Sequence, residues 1–359
     1  MTVVNKSKIR PDVLAAYDKV GAESAKVTKA YLRKKFYLLP KVMALTKKVG
    51  TLNDQVYREK INDTERLRKM LFLKEILFMT KFSRGMEEVQ ADWAQKAYPY
   101  SPDLRFEKIQ IGNVPAEWQI PKNAHASRVM LFYHSGGFCL GSINTERFVS
   151  AEVGKRLGLK VLSVEYRRAP EHPFPAALDD CYAAYRWLLD QGVKAKDIVL
   201  VGGSAGGSLV LSAITKMKQD KIPLPAGACC VSPCTDHSLN DTRLFQNGET
   251  DLVLGNGFVF SLLLAYVRDH DPRDPLVSPF WGDLAGFPPL LLQVSTTEIL
   301  YFDNVNFAEK ARDAGVPLTF HAFPGMPHGL GMMFMKLNPG WPELDEALSE
   351  LDKFIQTIF

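Results

Sequence analysis

The chain has 359 residues, 46% of them apolar and 11% aromatic, enough for a large core and too apolar for a disordered chain. A net charge of +4 is too small to argue for nucleic acid, but it is uneven: residues 1–60 hold 14 Lys/Arg against 5 Asp/Glu, a local +9 that leaves −5 elsewhere. The five cysteines (Cys139, Cys181, Cys229, Cys230, Cys234) are odd in number and lack framework or finger spacing, which argues against a disulfide-built secreted domain and against zinc.

Met1 to Gly21 lack the long apolar run of a signal peptide or membrane anchor, so a cytoplasmic location is expected. The sequons at Asn5, Asn62 and Asn240 are then read as chance matches. Residues 1–104 form a mainly helical amino-terminal cap region, with apolar residues recurring at three and four within Val13–Tyr17, Tyr31–Leu39 and Leu67–Lys81. Its basic face is read first as solvated, with peripheral contact to an anionic membrane as the alternative. Pro99 and Pro102 mark a boundary.

Residues 105–359 change character. The segment Glu107–Ile120 reads as a leading antiparallel pair. Short apolar runs follow at Val129–Tyr133, Val161–Val164, Ile198–Val201, Ala226–Val231, Leu290–Val294 and Leu318–Phe323. Amphipathic stretches such as Asn144–Leu157, Ala176–Asp190 and Asp303–Ala314 separate them, the pattern of βαβ units and a mostly parallel sheet flanked by helices. Residues 236–283 interrupt the alternation and read as a cap insertion near the ligand side.

Four motifs stand directly after apolar runs, where open parallel sheets bind ligands. Gly202-Gly203-Ser204-Ala205-Gly206 has a strand before it and a helical pattern after it, the setting of a nucleophile elbow. Without that setting it would be an ordinary glycine turn. In His134-Ser135-Gly136-Gly137-Phe138, glycines let backbone N–H groups approach a substrate oxyanion; the bland reading is a Gly-rich loop. The expected donors are Gly136, Gly137 and Ala205, and His134 is read as structural. His328, in Pro324-Gly-Met-Pro-His-Gly329, follows the last strand and is the candidate general base. His321 is expected to pack; His237 and His270, in the insertion, are read first as surface residues, with lining the pocket as the alternative. Glu298 emerges after Leu290–Val294 as the candidate acid; Asp303, its competitor, looks like a helix-start residue.

These residues resemble the hormone-sensitive-lipase-like carboxylesterases, which include the arylacetamide deacetylases. The match runs from about residue 105 to the end and includes Glu165-Tyr-Arg-Arg-Ala-Pro-Glu-His-Pro-Phe-Pro-Ala-Ala-Leu-Asp-Asp180, where Arg167 and Glu171 are expected to be structural. The resemblance implies an α/β-hydrolase fold with a helical cap, a Ser204–Glu298–His328 triad and an oxyanion hole at Gly136, Gly137 and Ala205. Three departures stand out: Ser135 for the usual third glycine, Gly203 for the usual Asp or Thr, and Glu298 for the usual Asp.

The expected activity is hydrolysis of small short- to medium-chain carboxylic esters through an acyl-enzyme, with no metal or cofactor. Phe138, Phe258 and Phe280 are candidate pocket residues. An amidase or deacetylase would use the same triad. A non-enzymatic receptor on this scaffold, as in plant gibberellin receptors, lacks the base histidine. The resemblance also implies a homodimer through the last strand and helix.

Overall fold

All the predicted apolar runs are strands in the structure, a computed structural model that describes residues 5–60, 73–255, 258–330 and 340–359. The leading pair is β1 (Leu104–Ile111) and β2 (Val114–Pro121). The six runs become β3 (Val129–Tyr133), β4 (Lys160–Val164), β5 (Ile198–Gly203), β6 (Gly227–Val231), β7 (Leu290–Ser295) and β8 (Leu318–Phe323). They form one 8-stranded sheet in the order β1-β2-β4-β3-β5-β6-β7-β8. The pairs β1–β2 and β2–β4 are antiparallel; from β4 to β8 every pair is parallel.

The central runs β3, β5 and β6 are apolar nearly throughout because both faces of the sheet are covered there, whereas the edge strand β8 is only partly buried. Met130, Phe132, Val199, Val201 and Leu291 face one core with Val153 and Phe354; Leu131, Tyr133, Leu200 and Leu292 face the other with Leu211 and Phe307. Such alternation of period two splits each strand between two helical layers.

Those layers are built from α4 (Ile143–Leu157), α5 (Ala176–Asp190), α6 (Ala205–Gln219), α8 (Tyr301–Asp313) and α9 (Pro342–Ile358). Helix α4 starts on a Ser142/Thr145 capping box and stops at Gly158, whose φ of +64° is left-handed. The insertion carries α7 (Phe258–Val267), and Leu262 to Val267 are buried in the main core.

The amino-terminal region contributes α1 (Pro11–Lys34), α2 (Leu39–Glu59) and α3 (Leu73–Ala97). Of the predicted stretch Leu67–Lys81, residues 67–72 lie outside the described residues, as does Asn62. Val13 is buried in one core with Phe323, Met326 and Leu330. Arg10 donates to Pro324 O at 3.3 Å and pairs with Glu343, so the start of α1 is fastened to the turn after β8. Among the described residues, no helix is long and apolar enough to cross a membrane.

Candidate active site

Ser204 stands between β5 and α6 with φ +50° and ψ −123°, a conformation that costs a non-glycine residue about 1–3 kcal/mol. Surrounding contacts enforce it. The Ser204 N–H donates to Val231 O at 2.7 Å, and the Ser204 carbonyl accepts from Ser208 N at 3.0 Å. A Cβ on Gly202 would stand 2.4 Å from the Gly206 carbonyl carbon, and one on Gly206 would stand 2.0 Å from Tyr133 O. Glycine is therefore required on both sides. The result is a half-buried serine at the tip of a sharp turn, flush against the end of β3.

The ends of β7 and β8 bring Glu298 and His328 together. Both are buried, and His328 Nδ1 lies 3.0 Å from Glu298 Oε2. Burial pushes the Glu298 carboxyl above the usual range, partly offset by His328 and by the Ser232 hydroxyl. Burial also disfavours the imidazolium, but the charge and hydrogen bond of Glu298, with help from Asp251, outweigh it and raise the His328 pKa. His328 Nε2 is buried and has no hydrogen-bond partner among the described residues, Ser204 Oγ included. The two turns are laced together by Ser295 and Thr297, whose hydroxyls both donate to Met326 O.

Beside the serine runs the loop from His134 to Gly141. Gly136 and Gly137 have φ of +117° and +58°, and a Cβ on Gly136 would lie 2.3 Å from Leu140 O. Among the described residues, no backbone carbonyl accepts the N–H of either glycine. Helix α3 grips this loop. Arg84 Nε donates to Cys139 O at 2.6 Å and Arg84 Nη2 to Ala169 O at 2.6 Å, while Glu171 holds the guanidinium through Nη1 at 2.9 Å and Nη2 at 3.0 Å. One helical turn on, Glu87 accepts from Gly141 N at 3.2 Å. The Ser135 hydroxyl lies 3.2 Å from where a Gly203 Cβ would stand, so the serine in the loop and the glycine before Ser204 share one space.

A family profile described as alpha/beta hydrolase fold matches residues 130–332, more than half of the chain. An acetyl-hydrolase of Streptomyces hygroscopicus is 35% identical over 289 residues, 79% of this chain and 95% of that protein. An esterase of Acinetobacter venetianus is 34% identical over 73% of this chain and 86% of its own length. The crystal structure of an esterase from the bacterial hormone-sensitive lipase family superposes with a TM-score of 0.72 at 33% identity, covering 77% of this chain and 91% of that one. The chain belongs to the α/β-hydrolase family, in its hormone-sensitive-lipase branch.

For a member of this family, the other anticipated residues are placed as follows. Arg167 forks onto buried Asp180, with Nη2 at 2.8 Å from Oδ1. His134 is stacked on Tyr166 with centroids 3.9 Å apart, and burial drives its pKa down to about 3, so it stays neutral. His321 stacks on Phe323 and lies 2.6 Å from Glu350 Oε1; with Glu346 these make a group whose ligand atoms lie within 4.8 Å of one another. Asp303 does not meet His328. It caps Thr235, accepting from its N–H at 2.6 Å, and burial raises its carboxyl to about 7. His237 departs from the expectation of a surface position: it is 1% exposed, packed by Phe138 and Tyr266, because the insertion folds back onto the core. His270 is exposed at the end of α7.

Of the pocket candidates, Phe138 is a core residue, 1% exposed and stacked on Tyr266 at 3.8 Å. Phe258 opens α7, but its side chain lies outside the described residues. Phe280 lines a cavity with Leu244, Phe260, Leu263 and Phe302, and Asp236, Asp241 and Asp303 are among its polar lining. Three contributors escaped sequence reading: Arg84, Asp251 and Ser232. Asp251 braces the acid turn, accepting from Ile299 N at 2.9 Å. Ser232 touches Glu298 itself and, like the motif residues, directly follows a strand. That position is the one signal that would have found it.

Proposed function

We propose that this chain is a serine carboxylesterase working by two-step acyl transfer. His328 Nε2 takes the proton of Ser204 as its oxygen attacks the ester carbonyl; the tetrahedral oxyanion is held by the N–H groups of Gly136, Gly137 and Ala205. Collapse expels the alcohol, which receives the proton from His328. Water, deprotonated by the same nitrogen, then attacks the acyl-enzyme and frees the acid and Ser204. Glu298 holds the imidazole with Nδ1 protonated and stabilises the imidazolium. The observation that carries this reading is the buried 3.0 Å pairing of His328 Nδ1 with Glu298, which leaves Nε2 as the ring nitrogen available to a serine. Hydrogen bonds between base and nucleophile are often long before substrate binds. The relatives named esterase and acetyl-hydrolase support the same chemistry.

A series of p-nitrophenyl esters run beside an anilide tests it. The family resemblance to short-chain esterases favours butyrate over palmitate, expected at about tenfold or more in kcat/KM. Faster hydrolysis of the anilide would instead assign an amidase. The acid limb follows from His328, which must be neutral to act. Because its pKa is raised, kcat/KM should climb with pH through a midpoint above the ordinary imidazole value of about 6.5. A midpoint at or below that value would contradict the charge-paired base.

Contact with an anionic membrane through the corner between α1 and α2 fits two observations. Tyr37 and Met43 there are 62% and 69% exposed, and Arg33, Lys34, Lys41 and Lys47 beside them are exposed cations. In flotation assays the protein should rise with phosphatidylserine vesicles and not with phosphatidylcholine ones, and Y37D/M43D should stay at the bottom. Equal recovery of the double variant would remove the membrane role. The five buried free thiols fit a reducing, cytoplasmic location, and the edge strand β8 with α9 offers the surface for a homodimer.

A further inference from the structure

We propose that Ser232 is a positioning residue acting through Glu298: its hydroxyl sets where the carboxylate stands relative to His328. The inference rests on the esterase reading above. Ser232 follows β6, the strand between the one that presents Ser204 and the one that presents Glu298. It is fully buried. Its Oγ donates to Glu298 Oε2 at 2.9 Å, the same oxygen that faces His328 Nδ1 at 3.0 Å. The same Oγ accepts from the Gly329 N–H at 3.1 Å. One hydroxyl thus uses its donor on the acid and an acceptor site on the turn that carries the base.

The rest of the carboxylate gives this contact its weight. Glu298 Oε1 is buried with no partner among the described residues, so all the fixed contacts of the group fall on Oε2. A glutamate has one more rotatable bond than an aspartate, and here the second donor fixes the longer arm. Asp251 is the further charged group that acts on both Glu298 and His328. It accepts from the amides of Ile299, Val253 and Leu254, so it supplies negative potential without a donor of its own. The backbone adds a separate argument. Ser232 has φ +52°, where glycine would sit without strain, and its N–H is fixed on Gln293 O at 2.7 Å. A serine here accepts strain that only its hydroxyl justifies.

The test uses the full chain with p-nitrophenyl butyrate and the variants S232G and S232A. A hydrogen bond to a buried charged group corresponds to about a ten- to fiftyfold effect, expected in kcat with KM within about twofold. The acid limb of kcat/KM should also move to lower pH, because a carboxylate no longer held opposite Nδ1 stabilises the imidazolium less. In an E298D background, S232G should cost no more than about a further twofold, since the shorter arm has already lost the contact. The glycine variant removes the hydroxyl and the φ strain together, so it decides the matter if S232A does not fold. Turnover of S232G within twofold of the parent, an unmoved acid limb, or fully multiplicative losses with E298D would each overturn the proposal. S204A is run alongside. An inactive S204A with a fully active S232G rejects only the role of Ser232, whereas an active S204A rejects the esterase reading itself.

Discussion

Replacing Ser204 with alanine should lower ester turnover by at least about a thousandfold while leaving the fold intact. In the proposed mechanism the hydroxyl forms and breaks the acyl bond, and S204A would keep only binding and the proposed oxyanion donors. The backbone should hardly notice, because alanine keeps the Cβ and both main-chain bonds of the elbow. Thermal melting of S204A should therefore overlay that of the parent, and a fluorophosphonate probe should label the parent and not the variant. S204G sharpens the case. With φ at +50°, glycine relieves strain, so this inactive variant should be more stable than the parent by about 1 kcal/mol in chemical denaturation. Residual turnover of S204A within tenfold of the parent would place the nucleophile elsewhere.

The largest structural effect is expected two residues further on. A methyl group at Gly206 would stand 2.0 Å from Tyr133 O and 2.7 Å from His134 O. Both neighbours are backbone, so relief requires α6 to move off β3, and with it the elbow away from the oxyanion loop. G206A should cost about 3 kcal/mol or more, leave little soluble protein, and show negligible turnover per folded molecule. The matched control is Gly21 in α1, where nothing lies within 4 Å of an added Cβ. There the same substitution should stabilise by about 0.5–1 kcal/mol through helix propensity alone. A G206A protein that melts and turns over like the parent would show that the tight approach of helix to strand is absent in solution.

How much of this could be read from the sequence depended on the range of the physics involved. The strands were legible because a run such as Val129–Tyr133, apolar at every position, has few homes besides a sheet covered on both faces. Glu298 and His328 were legible as candidates because strand ends converge in a parallel sheet, and the structure does bring that pair together. Contacts made by unremarkable residues across long stretches were not legible. Arg84 reaches Cys139 O across 55 positions, and nothing in the composition of α3 announces it. Ser232 carries no motif, since a serine after a strand is common, and its importance comes from the neighbour it meets. Phe138 shows the opposite limit: an aromatic beside a glycine loop looks the same whether it lines a pocket or, as here, stacks in the core on Tyr266. His237, read first as a surface residue of the insertion, is buried because that part of the insertion folds onto the core.

Among the contacts that moor the amino-terminal quarter are Arg10 and Val13 on the turn bearing His328 and Arg84 with Glu87 on the glycine loop. A lid that simply swings open would have to tear at both places and would disturb the Glu298–His328 pair and the proposed oxyanion loop together. Exchanging this segment between relatives to retune selectivity is therefore not a cosmetic graft: the four anchoring side chains must travel with it, or the recipient loses its chemistry along with its old preference.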